Sequence, residues 1–474
     1  MAYDASETFR IGRIIDWKID ERLNVTLPAP DSSSKFLEVP RTELERIHTT
    51  IRGKTRSGKT SRALIPAEQF LMMKDCCVVI FDMGGDEAML KTARSEAESQ
   101  GRTFRFFSLN AEHETSWFDP FENLGKSRRS AIAVAEYLVC ALSAEYGLGY
   151  GGLYFSVANL HMLLSAAKQV EANGEVFCLE SAVQQVEKSS KREGDQIRMM
   201  ITVLTEFVQL QEMQGVEPID FARAIEGGEV VYFYLPSLVA AMSARQVAGL
   251  ALYGIVGAAM KRVEEGKEDK HTFLLCDEFQ ELAGRNFASL LVHAAKFRVS
   301  CLLAHQTTDQ LKTSDIDLTS TVSDNTSLKI IFSITTEADI KALQLFSSDE
   351  IATLKSETIA ASNPFGSESE REYIRPKITK NLILQVSASE GYAFVIYDDG
   401  KGHRDPQVVY LDYGLPADIY SERYIIPKRD PEQIETKPIV GVQVPYTPDW
   451  QRDYSEDKAW QERQLKLASI WEEG

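Results

Sequence analysis

The sequence predicts an α/β fold in which a parallel-rich central sheet is interrupted by an inserted all-α domain. Apolar, strand-like runs alternate with stretches of helical spacing over residues 48–125 and again over 215–400, which is typical of a parallel sheet with helices on both faces. Residues 126–214 show helical spacing and no convincing strand. A third observation, a glycine-rich loop at 53–60 between an extended run and a helix, marks the start of the sheet.

The remaining segments flank this core. Residues 1–47 are polar, with short β-like strands, and 401–474 form a C-terminal extension whose apolar residues suit an arm that packs on a neighbouring subunit or partner. The strands predicted in the core cover 47–52, 74–82, 103–109, 229–236, 272–278, 299–306, 327–334 and 390–397. The predicted helices, besides one that starts at 61, cover 87–100, 127–144, 154–172, 179–189, 196–213, 240–264, 287–296 and 458–471.

The loop at 53–60 fits the phosphate-binding pattern G-x-x-x-x-G-K-[ST] without a mismatch. Its glycines permit a tight backbone that turns successive N–H groups toward an anion beside a helix N-terminus. Lys59 can reach the β- and γ-phosphates, and the Thr60 hydroxyl can hold Mg²⁺. We therefore expect ATP, with Mg²⁺, to be bound by Gly53, Lys54, Thr55, Arg56, Ser57, Gly58, Lys59, Thr60 and Ser61.

Acidic residues end two of the predicted strands, where the functional groups of parallel sheets gather. Asp277 and Glu278 end one apolar run and form a Walker-B arrangement. We expect Asp277 to bind the metal and Glu278 to polarise the attacking water. Asp82, at the end of another strand, is a competing candidate, which we disfavour because no second acid adjoins it.

The strand after this acidic pair ends in Gln306, whose amide can sense the γ-phosphate or the water. Its neighbour His305 is interpreted as structural. Transition-state charge usually calls for a further cation, often from a neighbouring subunit. We assign this catalytic role to Arg298, and the alternatives are Lys296, Arg285 and Lys329.

Composition restricts the partners and the compartment. The net charge of -18 makes the outer surface poorly suited to non-specific DNA binding, although short basic stretches at 126–129 and 188–192 could face DNA or form a solvated surface. The six cysteines include no C-x-x-C pair, which favours reduced core residues of a cytoplasmic protein over zinc ligands. Neither a signal peptide nor a run of about 18 apolar residues is present, so no transmembrane helix is expected.

The order of these parts resembles the coupling-protein ATPases of type IV secretion and conjugation, the TraG/TraD-like branch of the FtsK–HerA superfamily. The resemblance implies a RecA-like motor domain in a homo-hexamer, with nucleotide between subunits and an α insertion that receives DNA or relaxase-type protein substrates. It also implies a secretion-channel or membrane partner. The resemblance spans about 48–400 and is carried by the segments 48–60, 79–86, 117–121, 274–279, 302–306 and 375–395 around the α insertion.

Three positions depart from that family's pattern. Residues 1–47 lack the usual N-terminal membrane anchor, so any contact with the inner membrane is expected to be peripheral and through a partner. Residues 294–298 stand where a basic Gly-Arg-Lys-like stretch is expected, which weakens the transfer of the arginine-finger role. Met83 replaces the usual Pro-Lys after the strand acid.

The sequence thus indicates an ATP-hydrolysing motor that couples or translocates DNA or a DNA–protein substrate into a type IV secretion machine. Two alternatives stay open. One is a soluble HerA-like DNA translocase that works with a nuclease or effector. The other is an adaptor that recruits substrates and uses ATP as a conformational switch. A substitution of Glu278 separates the motors from the adaptor, because only the motors depend on hydrolysis.

Overall fold

In the computed structural model of the protein, strands begin near the N-terminus and recur along the chain. The structure describes residues 7–20, 24–73, 75–121, 131–143, 152–175, 177–188, 195–267, 270–312, 317–334, 336–360, 363–402, 404–414 and 424–429. Within them the strands are β1 (Thr8–Ile14), β2 (Lys18–Ile19), β3 (Val25–Thr26), β4 (Phe36–Pro40), β5 (His48–Arg52), β6 (Cys77–Asp82), β7 (Phe104–Ser108), β8 (Val230–Tyr234), β9 (Thr272–Asp277), β10 (Val299–His305), β11 (Thr326–Ile331), β12 (Asp349–Ala360), β13 (Asn363–Pro376), β14 (Tyr392–Tyr397) and β15 (Gln407–Tyr410).

The helices lie mainly between these strands. A π-helical segment, Lys59–Leu64, follows β5 and continues directly into α2. In the described part of the chain the α-helices are α1 (Arg41–Leu44), α2 (Ile65–Met72), α3 (Glu87–Ser99), α4 (Ala131–Ala141), α5 (Gly152–Ala172), α6 (Leu179–Lys188), α7 (Asp195–Thr205), α8 (Phe221–Gly227), α9 (Ser237–Glu264), α10 (Arg285–Ala294), α11 (Thr319–Asn325), α12 (Glu337–Leu345) and α13 (Lys380–Ala388).

The central sheet has eleven strands in the order β4-β1-β15-β14-β11-β5-β10-β9-β6-β8-β7. The run from β11 to β7 is parallel throughout. The strands β14, β15, β1 and β4 extend it by antiparallel pairing. The prediction of a parallel-rich α/β sheet is therefore confirmed, with an antiparallel extension on one side.

Both faces of the parallel part are buried. Alternate residues of β6 face two different cores: Cys77, Val79 and Phe81 face one, and Val78 and Ile80 face the other. All five side chains are fully buried. This two-sided burial explains why the strand reads as one continuous apolar run rather than as an alternating pattern.

The described residues between β7 and β8 contain helices and no strand, as the sequence predicts. Side chains of α4, α5 and α7, such as Leu138, Leu163 and Ile201, belong to the same hydrophobic core as Phe81 of the sheet. The helical segment therefore shares its core with one face of the sheet. Its boundaries at 126 and 214 stay a prediction.

A long hairpin is absent from the sequence-based prediction. Strands β12 and β13 pair antiparallel with each other and with no other strand of the described chain. Ile351 and Ile374 lie opposite each other in this pairing, yet their exposed fractions are 70% and 72%. Because neither residue is buried against a core, this part of the hairpin carries no apolar alternation that would reveal it in the sequence.

Several predicted features fall on residues outside the described ones. These are the basic stretch at 126–129, most of the one at 188–192, and the helix at 458–471. Within the predicted C-terminal extension, Gln407–Tyr410 forms β15 of the central sheet. The described residues 424–429 lie on their own chain: Glu114 donates its backbone N–H to Pro427 O at 2.8 Å, and Arg429 donates to Glu112 O at 2.8 Å. Among the described helices, none combines the length and apolar character needed to cross a membrane.

Candidate nucleotide-binding site

The glycine-rich loop leaves the centre of the sheet, because β5 lies between β10 and β11. The backbone N–H of Gly53 donates to His305 O, at the end of β10, with a distance of 3.3 Å. The N–H of Lys54 donates to Ser333 Oγ, just beyond β11, at 2.8 Å. The two neighbouring strands thus fix the start of the loop.

The loop geometry requires glycine at both ends. A Cβ on Gly53 would lie 2.3 Å from Ser57 Oγ and 2.9 Å from Phe332 Cβ. Gly58 has a φ of 102°, and Arg56 also adopts a left-handed φ of 64°, a conformation that costs free energy in a non-glycine residue. The Ser57 hydroxyl is buried and has no hydrogen-bond partner among the described residues, which fits a loop that closes around an anion.

Lys59 and Thr60 begin the helix that follows the loop. Lys59 is 6% exposed, and its ammonium donates to Gly53 O at 2.9 Å, so it already lies over the loop. Burial lowers the pKa of Lys59, against the opposing effect of the carboxylates of Glu278 and Asp277. The Thr60 hydroxyl donates to Asp277 Oδ2 at 3.4 Å, which brings a hydroxyl and a carboxylate together beside the loop.

Asp277 ends β9 and is 4% exposed. Burial, together with the nearby carboxylates of Asp82 and Glu278, raises its pKa to about 7, against the opposing effect of Lys59. A buried carboxylate with so few donors favours a cation as its partner. Asp277 and Thr60 together could hold a divalent metal ion through oxygen atoms.

Glu278 turns away from the strand through a left-handed backbone conformation, with φ 50° and ψ 48°. Its carboxylate accepts the Gln306 side-chain amide at 3.0 and 3.2 Å and also accepts the amide of Gln280. The Thr55 hydroxyl of the loop donates to Gln306 Oε1 at 3.4 Å. Gln306 therefore links the phosphate-binding loop directly to the acid.

Asp82 lies opposite Asp277 in the pairing of β6 with β9, but its surroundings differ. It accepts three backbone N–H groups, from Gly84 at 3.1 Å, Gly85 at 2.6 Å and Asp86 at 2.8 Å. The Tyr232 hydroxyl donates to it as well, at 2.8 Å. Burial raises the pKa of Asp82 to about 6. With four donors in place, the carboxylate holds the turn that follows β6.

Arg298, to which the sequence assigns a catalytic role, lies at the amino end of β10, whereas Gln306 lies just past the carboxyl end. Because the seven residues of β10 lie between them, the two are eight residue steps apart, or roughly 26 Å at about 3.3 Å per step. Arg298 and Lys296 therefore do not reach the loop of their own chain. A role in the site of a neighbouring subunit stays a prediction.

The other candidates are placed as follows. The Lys329 ammonium donates to Thr326 O and is partly buried, which lowers its pKa, so it serves the local structure of β11. The side chain of Arg285 lies outside the described part of the structure. His305 is buried between Thr50, at 3.2 Å from its Nε2, and the carbonyl of Thr307, at 3.1 Å from its Nδ1, as its structural interpretation expects.

Gln280 and Ser333 belong to the site but are not predicted from the sequence. Gln280 lies in the short helical turn Phe279–Glu281 after the acidic pair, and nothing in its spacing marks it. Ser333 reaches the loop only because β11 pairs beside β5. The Ser333 contact depends on tertiary structure, whereas Gln280 contacts Glu278 two residues away in the chain, within a local turn that the sequence pattern does not mark.

The site combines the backbone amides of the loop, the Lys59 ammonium, the Thr60–Asp277 pair and the carboxylate of Glu278, which accepts the side-chain amides of Gln280 and Gln306. In the described part of the chain, no group of three or more His, Cys, Asp or Glu side chains could hold a metal. A metal at Thr60 and Asp277 would therefore need phosphate oxygens and water as further ligands, which is the usual coordination of Mg²⁺ in nucleotide sites. The residues present thus fit Mg²⁺ bound together with a phosphorylated ligand.

These features define the P-loop fold of nucleoside triphosphatases, here with a RecA-like sheet. Among solved structures, the bacterial conjugative coupling protein TrwBdeltaN70 in its unbound form matches with a TM-score of 0.56 and 15% identity over 79% of this chain and 87% of that chain. The plasmid coupling protein TrwB in complex with ADP and Mg²⁺ matches with a TM-score of 0.54 and 15% identity, over 79% and 87%.

VirB4 of Thermoanaerobacter pseudethanolicus matches with a TM-score of 0.51 and 10% identity over 88% of this chain and 98% of that chain. The sequence matches no protein-family model and no curated protein sequence. At these identities the matches establish a shared fold, and they confirm the RecA-like fold that the sequence predicts.

Proposed function

We propose that the protein is an ATP-hydrolysing motor of the coupling type, which moves DNA or a DNA–protein substrate toward a type IV secretion machine. The observation that carries the proposal is the convergence of the loop, the Thr60–Asp277 pair and the Glu278–Gln306 pair at one edge of the sheet. The fold shared with the conjugative coupling protein TrwB and with VirB4 supports the choice of process.

Nucleotide binding is assigned to the loop and the first turn of its helix. The ammonium of Lys59 exchanges the Gly53 carbonyl for the phosphates, and the amides of the loop bind the phosphate oxygens. Thr60 and Asp277 would hold Mg²⁺, which when bound would supply positive charge beside the phosphates. The complexes of TrwB with ADP and Mg²⁺ and with non-hydrolysable ATP and GTP analogues support binding of this ligand class.

Hydrolysis is assigned to Glu278 with Gln306. Water attacks the γ-phosphorus, the bond to the β-phosphate oxygen breaks, and Glu278 accepts the proton of the water. Gln306 contacts both Glu278 and Thr55, so an arriving γ-phosphate would compete for its amide and free the acid. This contact makes Gln306 a sensor of the nucleotide state.

The same function requires an assembly and a substrate. A homo-hexamer would place the exposed Arg298 of one subunit near the nucleotide of the next, which supplies the further cation. With a net charge of -18, contact with DNA would be confined to local basic surfaces. We place the protein in the cytoplasm, peripheral to the inner membrane through a partner.

Steady-state ATPase assays with and without DNA test this function, together with native mass spectrometry of the assembly. We expect DNA to stimulate hydrolysis and rings to form with nucleotide. Glu278→Gln should lower hydrolysis at least ~100-fold and leave ATP binding unchanged. Glu337→Gln, an exposed acid paired with Lys341 on α12, is the matched control. A DNA-independent ATPase that stays monomeric would contradict the proposal.

The adaptor alternative makes the opposite prediction for delivery of a substrate. If ATP acts only as a switch, Glu278→Gln would leave substrate delivery intact, because the variant still binds ATP. A motor requires hydrolysis, so the same variant should abolish delivery. A transfer assay in cells that carry either form distinguishes the two.

A further inference from the structure

The chain that follows β15 returns to the helix of the phosphate-binding loop. The backbone N–H of Gly414 donates to Ser61 O at 2.9 Å. A Cβ on Gly414 would lie 2.7 Å from Ile65 Cγ2 and 3.0 Å from Pro66 Cδ, so only glycine permits this close approach. The contact places the preceding residue, Tyr413, beside the first turn after the loop.

Arg62 of the same turn holds Tyr413 in place. Its guanidinium carbon lies 3.6 Å from the centroid of the Tyr413 ring. The guanidinium donates to Leu411 O at 2.6 Å and to Glu390 Oε1 at 3.0 Å. The Tyr413 hydroxyl donates to the same Glu390 oxygen at 2.5 Å. One ring face and the hydroxyl of Tyr413 are therefore both fixed.

This fixed ring stays accessible. Tyr413 is 44% exposed, whereas Arg62 behind it is 4% exposed. The Arg62 stem also covers the outer side of the loop, since a Cβ on Gly58 would lie 2.9 Å from Arg62 Cδ. Buried Arg62 thus lies between the loop and the exposed aromatic ring, which places the ring one side chain away from where the phosphates are proposed to bind.

We propose that Tyr413 is the stacking platform for the purine base of the bound nucleotide, with Arg62 and Glu390 as its positioning residues. This role rests on the proposed binding of a nucleoside triphosphate at the loop. A purine presents a π-face to an aromatic ring, and a guanidinium behind that ring adds a favourable electrostatic contact. Orienting the ring in advance reduces the entropy that binding costs.

The competing explanation is that Arg62, Tyr413 and Glu390 only attach the C-terminal strands to the loop helix. A ligand without a base separates the two explanations. Isothermal titration calorimetry with Mg²⁺ would compare ATP with inorganic tripolyphosphate in the wild type, Tyr413→Ala and Tyr413→Phe. Tyr413→Phe keeps the ring and removes only the hydroxyl contact to Glu390.

We expect Tyr413→Ala to weaken ATP binding about tenfold, in line with the loss of one base–aromatic stack, and to leave tripolyphosphate binding unchanged. Tyr413→Phe should keep ATP affinity within about twofold of the wild type. Equal losses for both ligands, or no loss for ATP, would overturn the platform and leave the phosphate site standing. A wild type that binds neither ligand would overturn the phosphate site and the platform with it.

Discussion

Two aspartates lie side by side at the carboxyl edge of the sheet, Asp82 on β6 and Asp277 on the neighbouring strand β9. Both are buried, and burial raises the pKa of each, to about 6 and about 7. Asp82 accepts four hydrogen bonds, three of them from the turn that follows it. Among the described residues, Asp277 accepts hydrogen bonds from the N–H of Glu278 at 3.0 Å and from the Thr60 hydroxyl at 3.4 Å.

The residues that follow each strand create this difference. After Asp82, the chain folds back through Gly84 and Gly85, the latter with φ 77°, and directs its amides at the carboxylate. After Asp277, Glu278 turns the chain away in a left-handed conformation. The same side chain at the same level of a sheet is thus a structural anchor in one strand and an available ligand in the next.

Asp277→Asn has the largest expected effect, because it removes the carboxylate that we assign to the metal. ATP hydrolysis should fall at least ~100-fold. The nucleotide-free variant should nevertheless unfold at higher urea concentration, since an ionised carboxylate is costly to bury with few donors. ATPase assays and urea unfolding at about pH 7.5, above the raised pKa, check both effects. Wild-type hydrolysis combined with lower stability would contradict the assignment.

Asp82→Asn tests the other half of the comparison. One amide cannot accept from all three backbone N–H groups and the Tyr232 hydroxyl, so some buried donors would lose their partner. The free energy of unfolding should fall by about 2–4 kcal/mol. Asp86→Asn, which alters the cap of α3 but keeps the backbone N–H that donates to Asp82, serves as the control and should cost less than about 1 kcal/mol. Equal losses in the two variants, measured by urea unfolding, would mean that Asp82 is no special anchor.

The pH dependence of stability tests the role of Asp277 further, because the pKa of Asp277 is raised in the folded protein. Its ionised form reduces stability fully above about pH 7, and that penalty disappears as the pH falls toward 3.8, the ordinary pKa of an aspartate. The stability gain of Asp277→Asn over the wild type should therefore be largest near pH 8 and shrink on acidification. Urea unfolding at several pH values measures it. A gain that is constant with pH would mean that the ionised carboxylate is not its cause.

Three buried histidines also make stability depend on pH, equally in the wild type and in Asp277→Asn. Burial lowers the pKa of His48 to about 4, of His271 to about 3 and of His305 to about 4. Their neutral forms are favoured in the folded state, so their contribution is complete above about pH 6.5 and is lost as the pH falls. Because the histidines are common to the wild type and the variant, they cancel in the difference.

Gln280→Ala has the smallest expected effect. It removes one of the two amides that hold Glu278, while Gln306 keeps the other. We expect kcat to fall about 2- to 5-fold with KM unchanged, since Gln280 does not touch the loop. Steady-state kinetics checks this. A larger fall in kcat, or a raised KM, would show that Gln280 also acts on the nucleotide.

The sequence reveals the parts of the site that are contiguous in the chain. The loop at 53–60 and the Asp277–Glu278 pair are visible because their spacing reflects local backbone geometry. The sequence shows less clearly that Asp82 is a structural anchor and Asp277 an available ligand, because this difference depends on the direction of the backbone amides after each strand. Ser333 and Tyr413 could not be found this way, because tertiary contacts bring them to the loop: the pairing of β11 with β5 places Ser333, and the hydrogen bond of Gly414 to Ser61 places Tyr413. Strands β12 and β13 escaped prediction in the part where Ile351 and Ile374 pair, because both residues are exposed and do not pack against a core.

The different roles of the two aspartates are tested most directly by the Mg²⁺ dependence of ATP binding in Asp277→Asn and Asp82→Asn. Isothermal titration calorimetry with Mg²⁺ and with EDTA measures it. We expect the wild type and Asp82→Asn to bind ATP more tightly with Mg²⁺ than with EDTA, and Asp277→Asn to show no such difference. Loss of the Mg²⁺ effect in a folded Asp82→Asn variant, with its retention in Asp277→Asn, would contradict the assignment of the two aspartates.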